Sequence, residues 1–427
     1  MNPDRTSKDS FNRLWAGETL NLYVEQFIAF AAPLLIVTQL GGTVSQGQVL
    51  TFLFFVPYLL FGLNAGVWLE ERSKQRVVMV SVLAQALVLL LVVAASSLSW
   101  LGVYALGLFV LLSGVIAVFF QIAYQSYLPT IYSDQASLLV GNARLALSDA
   151  VTRVAGPATA GGLLAYAGVT GSFALQFGLM VVATVLFSLM RSDPGSARST
   201  RDTSTVTLIR QGVTFVRRHG WLKPIIACGA YYTVFVTAIK TTVILYLVAS
   251  GRASESAAGL VAACIALGYG TGSVASRRAV ARVGTRRALQ LSALVAVSGI
   301  AASAWAAGSI AAPGWAVLLT GLAFLVHGLG DGVFAPTALS VRQVVTPSHL
   351  MSRVTSVHRF FIWGGMSVGA LTAALVTALA GAGAALIVFG VLAFGTLPVL
   401  YRANFRLHGQ EGDDVERDPQ VALLHAE

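Results

Sequence analysis

Long apolar runs, each ended by a short polar connection, fill the chain from Asn12 to Arg402. About twelve of them reach the ~20 residues needed to cross ~30 Å of hydrocarbon. They lie near 12–40, 48–69, 77–98, 101–128, 140–168, 171–190, 224–249, 255–276, 286–307, 315–340, 352–379 and 383–402. Such runs predict membrane helices, several long enough to tilt or to extend past the bilayer. The longest charged interruption, Arg191–Lys223, divides them into two similar halves. The pattern therefore predicts an all-α polytopic membrane protein of twelve transmembrane helices in two pseudo-symmetric six-helix bundles, over 1–190 and 224–403. A cytoplasmic linker over 191–223 joins them, and an acidic, polar tail over 404–427 is expected to be disordered. In the linker, Val206, Ile209, Val213 and Val216 recur at helical spacing beside Arg210, Arg217 and Arg218. That predicts a short basic amphipathic helix on an anionic inner leaflet, the alternative being a charged spacer without structure.

Composition agrees with the pattern. Soluble chains are ~45–50% apolar and ~25% charged, whereas this one is 56% apolar and 11% charged. Its net charge of +10 raises the question of nucleic acid. The distribution answers it. Arg5, Lys8 and Arg13, then Arg72, Lys74 and Arg76, then the basic linker occupy alternate connections. Arg277, Arg278, Arg282, Arg286 and Arg287 follow, with Arg342 and Arg353 after them, while the opposite connections hold only Arg252. This is the positive-inside asymmetry, which puts both termini in the cytoplasm, and it is not a phosphate-binding face. Cys228 and Cys264 both fall within spans, which argues against a disulfide scaffold. A polar start, followed by a first span carrying Glu18 and Glu25, gives no cleavable signal peptide.

Two loops repeat a design. GVWLEERSKQR (Gly66–Arg76) follows the second span, and GSVASRRAVARVGTRR (Gly272–Arg287) follows the eighth. Each sets a small residue at a helix end before a basic run, in either a repeated element or a plain inside loop. The first loop resembles the conserved loop, motif A, of the major facilitator superfamily. Gly66 matches its glycine, Glu70 stands where Asp is usual, and Arg72, Lys74 and Arg76 fill the basic positions; Glu71 departs from the usual Arg. RVAGPATAGG (Arg153–Gly162) resembles the superfamily's Gly-Pro antiporter motif, matched at Gly156, Pro157, Gly161 and Gly162 with one extra residue of spacing. Read from its residues alone, that stretch is a bent helix or a tight helix crossing. Leu339–Gly364 and Asn12–Leu35 are similar to a bacterial branch with macrolide-efflux and enterobactin-exporter relatives. The superfamily's fourth-span arginine has no counterpart, since Phe119–Pro129 offers only Gln121 and Gln125. The resemblance implies the major facilitator fold, and the Gly-Pro motif goes with exporters.

Ionisable residues inside spans are costly and mark function by default. Glu18, Asn21 and Glu25 share one helix face. Glu25 lies deep enough to bind and release a proton or to pair with a cation, whereas Glu18 is expected near the interface. Asp149 and Arg153, four apart, suit a buried structural pair or a gate. Lys240 sits well inside the seventh span, where it snorkels, attracts an anionic substrate or pairs with Glu25. His327 and Asp331 share a face as a proton relay or a polar lock. Gln26, Tyr231, Tyr232 and Trp363 are candidates for a mixed aromatic and polar cavity lining.

These features predict a proton-coupled exporter of a small amphipathic compound, with an uptake symporter as the alternative. GxxxxGK[ST] is absent, so ATP is not expected to drive transport directly, and no metal-spaced or nucleophile set points to an enzyme. The expected partners are a small-molecule substrate, protons and the lipid bilayer. No cofactor and no nucleic acid are expected, and the chain is expected to act as a monomer.

Overall fold

The structure, a computed structural model, describes residues 3–62, 72–131, 135–190, 205–347 and 350–402. Among them the chain is all α-helical, without a strand. In order, the helices are α1 (Pro3–Thr38), α2 (Val44–Phe61), α3 (Lys74–Ser97), α4 (Val103–Ile131), α5 (Gln135–Ser188) and α6 (Thr205–Arg218). There follow α7 (Leu222–Ala249), α8 (Glu255–Val283), α9 (Thr285–Ser309), α10 (Pro313–Val345), α11 (Met351–Ala380), α12 (Ala382–Ala393) and α13 (Thr396–Tyr401). Among the described residues, eleven helical runs are long and apolar enough to cross a membrane, with α12 and α13 together forming one of them. The longest, α5, contains two. Gly168 breaks it at φ 64°, ψ −171°, a left-handed position that suits glycine, in the connection expected near 168–171.

Local chemistry sets several helix ends. Thr43 and Gln46 form a reciprocal capping box at the start of α2 (2.9 and 3.2 Å), and Ser73 caps α3. Many large apolar side chains point outward, among them Leu87, Leu91, Leu108, Val182, Leu322 and Leu375. Water would penalise such a surface, and lipid does not. Exposed Trp100, Tyr104 and Tyr166 stand at one set of chain reversals, and Trp305 and Trp315 at another, as interfacial aromatics do.

The chain divides into two compact units. The first comprises Met1–Asp202 with Ala253–Ala263; the second comprises Thr203–Arg252 and Cys264–Glu427. In the first, α1 packs mainly on α5, α3 packs on both α5 and α4, and α2 lies on α4. In the second, α9 lies along α10, α7 along α11, and α12 against both α7 and α9.

The linker helix belongs to the second unit, and here the structure corrects the expected leaflet contact. Val216 is buried with Leu222, Ile226, Val354 and Val357, and Val213 and Phe215 pack beside it. Gly212 lies against the backbone of Arg353, whose guanidinium donates to Gln211. The apolar face of α6 thus docks on protein, because α7 and α11 offer a closer apolar surface than lipid. Arg210, Arg217 and Arg218 face outward. The side chains of Val206 and Ile209 lie outside the described residues.

Candidate functional site

In the first unit the polar face of α1 is set by a hydrogen-bonded seam with α5. Trp15 Nε1 donates to Ser148 Oγ at 2.9 Å, and Thr19 Oγ1 lies 2.8 Å from the same oxygen. Two turns on, Tyr23 Oη meets Thr159 Oγ1 at 2.7 Å. Gly17 lies on the Phe187 ring, where a β-carbon would come within 2.8 Å. This seam fixes the rotation of α1 and therefore the positions of its carboxylates. Glu25 is partly buried and accepts from Asn21 Nδ2 at 2.9 Å. Gln121 of α4 is a further hydrogen-bond partner, and Asp149 and Arg153 of α5 act on it electrostatically. Gln26 sits where α1 and α5 nearly touch, because a side chain at Gly156 would meet its Cβ at 2.5 Å.

Glu18 is a correction. It was expected at the interface, yet it is 0% exposed. The sequence could not show this, since burial depends on which helix covers that face.

Asp149 and Arg153 pair as expected, Arg153 Nε lying 2.9 Å from Asp149 Oδ2, but their side chains are 39% and 52% exposed. The pair is therefore not the buried lock expected of it. Among the Gly-Pro residues, Gly161 has no room for a side chain, which would meet Glu255 O at 2.1 Å, and the Pro157 carbonyl closes on Gly259 in the same way at 2.4 Å. Those first turns of α8 belong to the first unit. Gly162 has open space. Gly66 and Glu70 lie outside the described residues, and Arg72 and Arg76 are exposed.

The second unit holds a cluster around His327, which is 2% exposed. Its Nδ1 lies 3.0 Å from Ala296 O. A carbonyl only accepts, so Nδ1 carries the hydrogen and Nε2 remains the basic nitrogen. Tyr232 Oη is 3.3 Å from the same Nδ1, with its ring tilted over the imidazole. Lys240 acts electrostatically on His327, and Asp331 on Tyr232. Tyr231 donates to Leu392 O at 2.9 Å and packs on Phe235, tying α7 to α12. Trp363 is partly buried in α11.

The backbone around His327 is unusually close to its neighbours. A side chain at Gly328 would meet Ile265 O at 2.1 Å, and one at Gly332 would meet Tyr269 O at 2.2 Å. Reciprocally, Gly268 faces Leu325 O at 2.1 Å and Gly272 faces Leu329 O at 2.2 Å. Gly330 and Gly299 do the same between α10 and α9. Two GxxxG pairs thus lock α8 to α10, and the sequence carried that signal at Gly268–Gly272 and Gly328–Gly332.

Comparison with known proteins places this architecture. No curated protein matches the chain. Among solved structures it is similar to the nucleoside transporter NupG, at 12% identity over 91% of this chain and 98% of that one, with a TM-score of 0.69. It is similar to a POT family transporter in complex with a thioalcohol-conjugated peptide, at 12% identity over 92% and 95%, TM-score 0.68. It is also similar to a bacterial homologue of the iron transporter ferroportin, at 18% over 91% and 98%, TM-score 0.59. Identities this low establish the fold alone. Residues 14–251 match the family description Major Facilitator Superfamily. With that match covering more than half its length, the chain belongs to the major facilitator superfamily, as a multi-pass membrane transporter of its fold.

Proposed function

We propose that the protein exports a small amphipathic organic compound, such as an antibiotic, a secondary metabolite or a siderophore, in exchange for protons by alternating access. It would do so in the cytoplasmic membrane with both termini on the cytoplasmic side. The observation that carries this reading is the state of Glu25. A coupling group that exchanges its proton in this conformation can be neither sealed away nor locked in an ion pair. Glu25 satisfies both conditions: it is partly open, its hydrogen bonds come from the neutral amides of Asn21 and Gln121, and the neighbouring Arg153 is bonded to Asp149. Asn21 supports the ionised form without discharging it.

The second unit adds a group of complementary kind. His327 keeps a basic Nε2 inside a span, with Asp331 one turn further along α10. Lys240 supplies a positive charge beside it, which suits a substrate with an acidic or strongly polar group. Export, in place of uptake, is favoured by the resemblance of the Gly-Pro stretch to the antiporter motif. The solved neighbours are named for nucleosides, peptides and iron, and they do not narrow the cargo.

The test is flux in proteoliposomes with an imposed pH gradient, using a compound chosen from a growth-inhibition panel on cells expressing the protein. Wild type should move it against protons. Glu25→Gln should lose gradient-driven flux by about tenfold or more, equivalent to ~1.4 kcal/mol of coupling or above, while retaining exchange of substrate for substrate. Unchanged gradient-driven flux in Glu25→Gln would remove Glu25 from the mechanism. Cotransport with protons would replace export by uptake.

A further inference from the structure

The least comfortable group in the first unit is Glu18. Its side chain is 0% exposed, and neither Oε1 nor Oε2 has a hydrogen-bond partner among the described residues. The charged groups acting on it are Glu25 of its own helix and Asp149 of α5, both acidic. Cations nearby are engaged elsewhere. Arg153 pairs with Asp149, the Arg144 guanidinium lies 5.9 Å over the Phe11 ring, and Arg13 donates to Leu189 O. Arg144, Arg153 and Asp149 are the only charged residues of α5. The other helices packed on α1 bring none: α2 and α4 contain no Asp, Glu, Lys, Arg or His, and their titratable groups are Tyr58, Tyr104, Tyr124 and Tyr127.

An ion sealed from water with no partner and two like charges nearby is heavily penalised, whereas the neutral acid costs only what an unpaired polar group costs. We propose that Glu18 is a second proton-binding site of the first unit, holding its proton as the neutral acid in this conformation. It differs from Glu25 in kind. Glu25 has an amide donor and an opening, so it exchanges readily. Glu18 can ionise only when the seam between α1 and α5 opens enough to admit water or a cation. Its proton is therefore tied to a change of conformation.

The proposal deepens the proton-coupled reading, but its test does not depend on transport. Infrared spectra of the full chain in lipid should show a protonated carboxylic acid carbonyl band that persists at mildly alkaline pH. That band should disappear in Glu18→Gln and survive in Glu25→Gln. Where Glu18→Gln fails to fold, Glu18→Asp should shift the band. A band untouched by both Glu18 substitutions, or no such band in wild type, would overturn the proposal. If the band belongs to Glu18 while flux ignores the pH gradient, the buried acid stands and proton coupling falls. With gradient-driven flux and no Glu18 band, only the protonated state assigned to Glu18 falls.

Discussion

Two helix seams, one in each unit, are held by different chemistry. In the first, α1 and α5 meet through side chains: Trp15 and Thr19 on Ser148, and Tyr23 on Thr159. In the second, α8 and α10 meet through backbone, with Gly268, Gly272, Gly328 and Gly332 interleaved at distances that exclude any side chain. A hydroxyl seam can open by exchanging its partners for water. A glycine seam has no such partners to exchange, and its stability comes from dispersion and close approach. Glu18 and Glu25 thus ride on the seam that can yield, while His327 rides on the one that cannot.

Filling the glycine seam should break the comparison most sharply. Gly328→Leu drives side-chain atoms into the Ile265 carbonyl, and a loss of about 3 kcal/mol or more is expected. Thermal unfolding in detergent would read this as a collapse of folded yield. Gly162→Ala in the first unit, where space is open, should leave unfolding unchanged. Equal damage from both would remove the distinction between the seams.

Ser148→Ala comes next. It strips the acceptor from Trp15 and the partner from Thr19, and membrane hydrogen bonds of this kind contribute about 0.6–1.7 kcal/mol. The same substitution should raise solvent exchange at α1 amides, as hydrogen exchange would register. Tyr232→Phe should cost less, about 0.5 kcal/mol, because His327 keeps Ala296 O as its nearer partner. A larger loss would show that Tyr232, and not the backbone, holds the imidazole.

A pH-dependent effect of comparable size is expected outside the membrane. His219 Nδ1 accepts from the backbone N–H groups of Trp221 and Leu222 (3.2 and 3.4 Å), joining α6 to α7. Burial lowers its pKa from 6.5. The neutral ring is the bonded form, so its contribution is complete above the unfolded value and is lost as pH falls through the folded one. The protection factors of amides 219–225, corrected for the intrinsic slowing of exchange in acid, should therefore fall on acidification below about 6.5. His219→Ala should abolish that pH dependence at a cost near 1 kcal/mol or less.

Much of the fold was legible in the chain. Apolar runs placed the spans, and Gly168 falls in the connection that the pattern left between the fifth and sixth. The valine spacing located α6, but not what it would cover, because an apolar face does not name its partner. For the same reason Glu18 and Glu25, two turns apart on one face, differ in exposure once the neighbouring helices pack on α1. The Asp149–Arg153 pair followed from spacing, whereas its exposure did not. Tyr232 and His327 are 95 positions apart, and no local pattern joins them. The GxxxG pairs were readable as motifs, but small-residue pairs are common in membrane helices, and only the packed helices show which ones interlock.

The most direct test of proton exchange follows both species at once. In reconstituted vesicles, substrate efflux and the internal pH would be recorded together after a gradient is imposed. Protons should enter as substrate leaves, and Glu25→Gln should abolish both movements together. Substrate movement with no accompanying proton flux in wild type would contradict it.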